Sequence, residues 1–569
     1  GLYVGSDNTN YRGALNASDV TFTAQDTSAG WPGLLFYNYS DDASSVVNSC
    51  TVEYATHGVY CESANPTITN STIRNNTDGI YCDGTSQPTI TGNTFTGNTR
   101  PVSIYAHRIR NNISVNSYTG NTKDYIEVQG TTLNENMTYA WSKDNAPYVV
   151  VADITVQGPN NSSYLPILQI ASGTTVKFMS GVDLFIGYTN DSDYRGALQA
   201  TGVTFTSLDS TGWQGIDFNI YSDDGSCVLD SCTIENAVIG IYCNDASPTI
   251  TNNTIKNNTD GIEANAGSQP TITGNTFTGN TRPVSIYAHR IRNNISGNSY
   301  TGNTKDYIEV QGTTLNENMT YAWSKDNAPY VVVADITVQG PNNSSYLPIL
   351  QIASGTTVKF MSGVDLFIGY TNDSDYRGAL QATGVTFTSL DSTGWQGIDF
   401  NIYSDDGSCV LDSCTIENAV IGIYCNDASP TITNNTIKNN TDGIEANAGS
   451  QPTITGNTFT GNTRPVWIFA NRINNTIYGN SYTDNTKDYI EVQGATLDEN
   501  LTYVWAKDNG PYVVVGDVYV QRANNSSQLS TLQIASGTTV KFKSGVDLYI
   551  GNESNSNYKG ALIANGVTF

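Results

Sequence analysis

Apolar residues in this chain mostly come singly, flanked by Thr, Ser and Asn, and they return at fixed distances. The stretches SCVLDSCTIENAVIGIYC (226–243), SPTITNNTIKNNTDGIEA (247–264) and QPTITGNTFTGNTRPVSIY (269–287) align with one another. Three evenly spaced files of apolar residues emerge: Ile234, Ile255 and Phe277; Leu229, Ile250 and Ile272; Ile241, Ile262 and Val284. Each file sits in a run of three to five residues that alternates an inward apolar residue with an outward Thr or Ser, which is the pattern of a short strand. Gly, Asn and Asp punctuate the runs and favour tight corners. Three short strands in every stretch of about 21–22 residues describe one coil of a parallel β-helix, so the expected fold is an all-β solenoid. Asn253 and Asn275, with Ser71 at the equivalent place earlier in the chain, fall at matching corners. Stacked amides there can pair polar groups that a turn otherwise leaves open.

A longer period contains the shorter one. SQPTITGNTFTGNTRPV begins at Ser86, Ser268 and Ser450, three starts at equal intervals. The chain divides into copies at 1–182, 183–364 and 365–546, with 547–569 opening a fourth. It therefore reads as a window on a longer tandem array. Residues 86–284 and 268–466 differ at one position, Val115 against Gly297. At about 21–22 residues per coil a copy is expected to hold about eight coils, roughly 40 Å at ~4.8 Å each, and three copies a rod of roughly 120 Å.

Composition narrows the setting. Only 14% of residues are charged and the formal net charge is −26, which excludes the basic surface a nucleic-acid binder needs. No run of about 18 apolar residues is present to span a membrane as a helix.

PTITNNTIKNNTDGI and PTITGNTFTG resemble the repeat of right-handed parallel β-helix proteins. That superfamily includes pectate-lyase-like enzymes, periplasmic β-helix proteins of copper-enzyme maturation and many archaeal cell-surface proteins. ASGTTVKFMSGVDLFIG with YRGALQATGVTFTS is similar to a segment of large surface-layer-associated proteins. The resemblance implies the fold. It leaves function open, because lyases, hydrolases, adhesins and fibres share that fold.

Candidate chemistry is sparse. Lyases of this fold generally use a basic general base near acidic calcium ligands or arginines. His107 and His289 are matched by Asn471, and His57 by Ile239, so no histidine recurs in every copy. Arg100, Arg282 and Arg464 recur, as do Arg108, Arg290 and Arg472, near Asp124 and Glu127 and their counterparts. Alternation along a strand places Asp124 and Glu127 on opposite faces, a poor acid–base pair. The expectation is no enzyme and no catalytic residue. Oxygen-rich loops at TNDSDYRG and YSDDGS make Asp191, Asp193, Asp223 and Asp224 the candidate calcium ligands, and calcium the one cofactor considered. Asn136, Asn318, Asn342 and Asn343 head Asn-x-Ser/Thr sequons in expected loops and are the candidate glycosylation sites. Cys61 and Cys82 align in neighbouring coils and are the candidate disulfide, at a spacing slightly long for the bond.

The reading is a structural, extracellular repeat protein that associates with itself into a filament, sheath or surface layer. Its partners are further copies, with glycans a further class; nucleic acid and a membrane span are not expected. The alternatives are a cell-surface adhesin or glycan-binding stalk and, behind it, a polysaccharide lyase or hydrolase.

Overall fold

The computed structural model describes residues 1–569 apart from 7–10, 162, 190, 344, 523–527 and 552–556. It forms two compact units. One comprises Gly1–Ser285 with Gly297–Asp306, the other Ile286–Ser296 with Tyr307–Phe569.

Unit 1 is built on a sheet of 13 parallel strands that starts at Leu2–Val4 and ends at Ser299–Thr301. Consecutive members of this sheet are not consecutive in the chain, because each coil leaves it, makes two more strands and returns one rung along. The coil at His57–Cys61 continues through Thr67–Thr69 and Thr72–Arg74 before rejoining at Asp78–Cys82. Unit 2 repeats the design, with a ten-stranded parallel sheet from Thr314–Leu315 to Val540–Phe542 and further parallel sheets beside it.

The expected files are the observed registers. Ile234 pairs with Ile255 and Ile255 with Phe277. Leu229, Ile250 and Ile272 pair in turn, as do Ile241, Ile262 and Val284. All nine are fully buried. One inward side chain per short strand supplies the core, and each rung covers the apolar residue of the rung before it, so stability accumulates by nearest-neighbour stacking.

Both residues of each Asn-Asn or Gly-Asn corner now have a role. The first turns the chain in the left-handed region, as at Asn70, Asn75, Asn252 and Asn257, or at Gly92, Gly97, Gly274 and Gly279 one rung on. The second points inward and forms a ladder. Asn253 Nδ2 donates to Asn275 Oδ1 at 3.0 Å, and Asn275 Nδ2 to Asn298 Oδ1 at 3.1 Å. In copy one Ser71 donates its backbone N–H to Asn93 Oδ1 at 3.0 Å. A second ladder, through Asn76, Asn98 and Asn121, runs at the other corner. Left-handed backbone suits Asn and Gly and strains a β-branched residue. Val115 nevertheless sits there at φ 60° and is 70% exposed, where Gly297 and Gly479 have φ of 67° and 71°. Val115→Gly is expected to stabilise unit 1 by about 1 kcal/mol: relief of ~1–2 kcal/mol of left-handed strain, less the extra chain entropy of glycine. Thermal unfolding of the two forms measures it.

The coil count departs from expectation. Among the described residues copy one holds 22 strands, Leu2–Val4 to Thr175–Phe178, and copy three likewise, Asp365–Ile368 to Val540–Phe542. At three strands per coil that is seven coils and one strand more, roughly 35 Å of stacking at ~4.8 Å per coil rather than roughly 40 Å. The difference comes from the long corners, where a coil takes up more chain than the short period implies. Leu2 finds its register partner only at Leu34, and Val176 only at Phe205.

The surplus strand moves the next copy to another face. Leu2–Val4 belongs to the 13-stranded sheet, but its counterpart Asp183–Ile186 lies in the sheet that starts at Thr132–Leu133. In unit 2, Asp365–Ile368 belongs to the ten-stranded sheet, and its counterpart Leu548–Ile550 pairs with Val518–Val520 in a different one. The change is made locally. The stack that begins at Thr21–Phe22 ends at Ser117–Tyr118, and a new face opens at Thr132–Leu133, packed on the 3-10 turn Ala106–Arg108. Asp144 caps the interrupted ladder there. Its buried carboxylate accepts the backbone N–H and side-chain amide of Asn116, both at 2.8 Å, and the Tyr118 hydroxyl at 2.9 Å. Asp508 does the same for Asn480 and Tyr482 in unit 2.

Candidate functional site

The outer face of the 13-stranded sheet carries the densest charged cluster of copy one. Residues on neighbouring rungs stand side by side, so His57, Asp78 and Arg100 form one row and Tyr60, Tyr81 and Ser103 another. His57 Nδ1 lies 2.9 Å from Asp78 Oδ2. Arg100 Nε donates to the other Asp78 oxygen at 2.8 Å, and its Nη1 reaches Glu127 at 2.6 Å. Lys123 closes the row on Glu127 at 3.0 Å. Burial pushes the Asp78 carboxyl up, but the hydrogen bonds from His57 and Arg100 outweigh it and hold the group below its ordinary range. The Tyr60 and Tyr81 rings stack at 5.6 Å and flank the His57 ring at 5.4 and 5.5 Å.

This His–Asp pair belongs to copy one alone. Ile239 and Ile421 replace His57, and Glu263 and Glu445 replace Tyr81. The arginine persists as a clamp between coils: Arg282 bonds Asp260 and Glu263 at 2.8 Å, and Arg464 bonds Asp442 at 2.7 Å and Glu445 at 3.1 Å. Arg108 donates to the Gly84 carbonyl at 2.9 Å, and His107 Nε2 lies 2.8 Å from the same oxygen. These recurrent arginines hold loops and rungs. Asp124 ends the second Asn ladder by accepting from Asn121 at 2.8 Å, while Glu127 faces outward to Arg100, so the two carboxylates do separate tasks.

Copies two and three carry acids on the corresponding face instead. Burial first, and then the charges of Asp217 and Asp153, push Asp183 up to about 7. Burial pushes Asp217 up to about 6. Asp365 and Asp399 repeat these values in unit 2. A carboxyl with a raised folded pKa keeps its proton in the fold where the unfolded chain has lost it. Its stabilising contribution is complete below about 4 and disappears as pH rises through about 6 to 7. Thermal stability is therefore expected to fall between pH 4 and pH 8. The double variant Asp183→Asn, Asp365→Asn should flatten that slope, by on the order of 1 kcal/mol per site once water screening at these half-exposed groups is allowed for. Melting curves at both pH values decide it.

Among the described residues, the side chains of the two acidic loops are engaged within the protein. Arg195, from TNDSDYRG, forms an ion pair with Asp223 of YSDDGS, so a guanidinium joins the two loops where a cation was expected. Arg377 and Asp405 repeat the pair at 2.6 Å. Asp191 accepts the backbone N–H of Asp193 at 3.0 Å, and Asp224 that of Ser247 at 2.7 Å. Among the described residues no three metal-ligating side chains come together. The matching loops of copy one and of the fourth copy include 7–10 and 552–556, outside the described residues, as is Asn190.

The Cys61 and Cys82 thiols are register neighbours, fully buried and free, and burial followed by their mutual contact pushes the Cys61 thiol well up. In-register parallel strands keep their Cβ atoms at the strand spacing, ~4.8 Å, beyond the ~3.8 Å a disulfide prefers. The asparagines Asn136, Asn318, Asn342 and Asn343 are exposed. Asn136 and Asn318 brace their loops by accepting from Leu165 and Leu347 at 3.0 Å. The recurrent tryptophans are packing: Trp213 is fully buried, stacks on Phe178 at 4.2 Å and donates to the Glu235 carbonyl.

Each unit also has a shallow groove without charged side chains. In unit 1 it measures about 430 Å³ and is lined by Asn111, Ala140, Gln169, Ser172, Gln199 and Thr201 among others. In unit 2 the equivalent groove measures about 450 Å³, with Gln351 and Gln381 in place of the two glutamines. Sequence reading missed these grooves, the second Asn ladder, the aspartate caps and the Arg195–Asp223 pair. The recurrence of NNT, KDN and YRG from copy to copy carried a signal for the last three.

With the coils described, the comparison with known families is direct. The pattern named "Right handed beta helix region" matches residues 7–150, 188–333 and 370–532, most of the chain. The chain belongs to the right-handed β-helix family. No curated protein matches it. Membership in the β-helix family agrees with the stacked parallel sheets of both units and sets the hand of the coil. The family spans enzymes and non-enzymes, so activity has to be argued from the residues. Among the described residues no helix is long and apolar enough to cross a membrane.

Proposed function

We propose that this β-helix protein is structural, a repeat-built component of an extracellular filament, sheath or surface layer. The observation that carries the reading is the near-identity of successive copies, one difference between residues 86–284 and 268–466. An active site needs one good constellation, whereas a scaffold needs the same outward surface many times. The recurrent polar residues support this reading because they are engaged in ladders, caps and clamps. Electron microscopy of the native material tests it. Continuous fibres or layers with an axial spacing that is a multiple of roughly 35 Å are expected. Dispersed single molecules at native concentration would sink the proposal.

One observation favours a second reading, glycan processing: the His57–Asp78 pair with an outward-facing ring in copy one alone. A histidine oriented by a carboxylate is a general base in many enzymes. Under that reading the chain cleaves an acidic or neutral polysaccharide and His57→Ala abolishes cleavage. Equal turnover by the variant removes it.

A further inference from the structure

Acids outnumber bases in this chain, 52 to 26, yet each copy leaves two lysines without an acid. They are Lys143 and Lys177, Lys325 and Lys359, and Lys507 and Lys541, and among the described residues no ion pair or hydrogen bond holds any of them. Lys123, Lys256, Lys438 and Lys487, by contrast, each sit on a glutamate. Register accounts for one lysine of the pair: Lys177 stands between Val149 and Thr206, and Lys359 between Val331 and Thr388, so neither neighbouring rung offers a charge. The other lies over a bare glycine, and a Cβ on Gly173 or Gly355 would come within 3.1 or 3.3 Å of its Nζ. Lys325 and Lys359 line one open groove of about 490 Å³ with Asn327, Gly355 and Thr357. The acid in its lining, Asp326, is buried and already accepts the Asn327 N–H at 2.9 Å.

The complement recurs as well, as Asp153, Asp183 and Asp217 in unit 1 and as Asp335, Asp365 and Asp399 in unit 2. Asp153 and Asp335 are exposed and accept the N–H groups of Asp183 and Asp365 at 3.0 Å. The carboxylates of Asp183, Asp217, Asp365 and Asp399 are half-buried and meet no cation among the described residues. Lys177 belongs to the 13-stranded sheet and Asp183 to the next sheet around the coil, so a corner keeps the two groups apart within one chain.

We infer that the lysine pair of each copy is the docking site for the aspartate trio of a second molecule of this chain. The inference rests on the structural reading above and names the contact through which assembly occurs. A chain of net charge −26 repels its own kind, so attraction between molecules needs positive charge that the chain has not neutralised itself. Repetition along the array multiplies a contact that is weak taken singly.

The test measures association of the full chain by sedimentation at pH 8, above the values to which Asp183 and Asp217 are pushed up, so that both are ionised. Association is expected at low salt and should weaken roughly tenfold as sodium chloride rises to ~0.5 M. The variant Lys325→Gln, Lys359→Gln, Lys507→Gln, Lys541→Gln should weaken it by a similar factor. Lys256→Gln, Lys305→Gln, Lys438→Gln, Lys487→Gln removes equal charge from partnered lysines and should leave it intact. The decisive variant is Asp183→Asn, Asp217→Asn, Asp365→Asn, Asp399→Asn. It makes the chain less negative, so general repulsion predicts stronger association, whereas loss of the docking partner predicts association roughly tenfold weaker. Circular dichroism checks that each variant keeps its fold. Association that survives the lysine or the aspartate variant, falls equally in the charge-matched control, or strengthens with salt overturns the inference and leaves the structural reading standing. A folded chain that never associates, even one that binds a polyanion such as heparin, overturns both.

Discussion

Asn93→Ala is expected to destabilise the coils around it by about 3–4 kcal/mol. Asn93 is buried and serves three partners. Its Oδ1 accepts the Ser71 N–H at 3.0 Å, and its Nδ2 donates to the Ile68 carbonyl at 2.8 Å and to Asn116 Oδ1 at 3.2 Å. Alanine leaves the Ser71 backbone N–H in the core without a partner, at ~1–3 kcal/mol, and removes the two hydrogen bonds donated by Nδ2, at ~1 kcal/mol each. Asn93→Ser should recover much of the loss, because Ser71 already performs the task in the same ladder. Its hydroxyl accepts the Cys50 N–H at 3.0 Å and donates to the Thr69 carbonyl at 2.9 Å. Hydrogen exchange at Ser71 and its neighbours reads the effect locally, since a solenoid opens in parts. Equal protection in wild type and Asn93→Ala would show that the ladder is decoration on a core that apolar stacking holds alone.

Gly215→Ala should be at least as damaging, by ~3 kcal/mol or more. Gly215 has φ of +144°, a region reserved for glycine, and a Cβ built on it would lie well inside contact distance of the Ile239 carbonyl oxygen on the next rung. Strain and collision act together there, and the neighbouring backbone cannot yield without breaking the pairing of Ile216 with Ile241. The buried Trp213, two residues away, reports the event: its fluorescence should shift toward the solvated position at a lower temperature than in the parent. An unchanged transition would mean that the coil takes up a methyl group by moving, contrary to the tight rung spacing. Gly225, which lacks a left-handed φ and meets little but an Asp223 oxygen, is the control.

Much of the interior was legible because a solenoid writes its contacts into the sequence as a period. Ile234, Ile255 and Phe277 are neighbours in space for the reason that they are neighbours in the alignment, one coil apart. The same logic exposed the stack through Asn253 and Asn275 and the equivalent corner at Ser71 in copy one. It failed wherever a contact joins residues at different phases of the coil. Arg195 and Asp223 stand in two loops with no common register, and charge alone made those loops look like a cation site. His57 looked solitary because Asp78, its partner, lies one rung away and its counterparts in the other copies are isoleucines.

By itself, then, the sequence determined the short period of the coil and the long period of the copy, the strand-and-corner alternation, the buried files and the inward Asn at each corner. All of these follow from side chains repeating along one dimension. Only the tertiary structure decided how many strands a copy spends and on which face the next begins. That number depends on whether a long corner folds as a loop, a 3-10 turn or a further strand, and the choice is made by packing against the rung below. Ala106–Arg108 forms a turn on which Thr132–Leu133 opens a new face, while the stack ending at Ser117–Tyr118 is closed by the carboxylate of Asp144. Burial of polar groups bears on that outcome: an interrupted ladder needs a partner for its last amide, and Asp144 supplies it to Asn116.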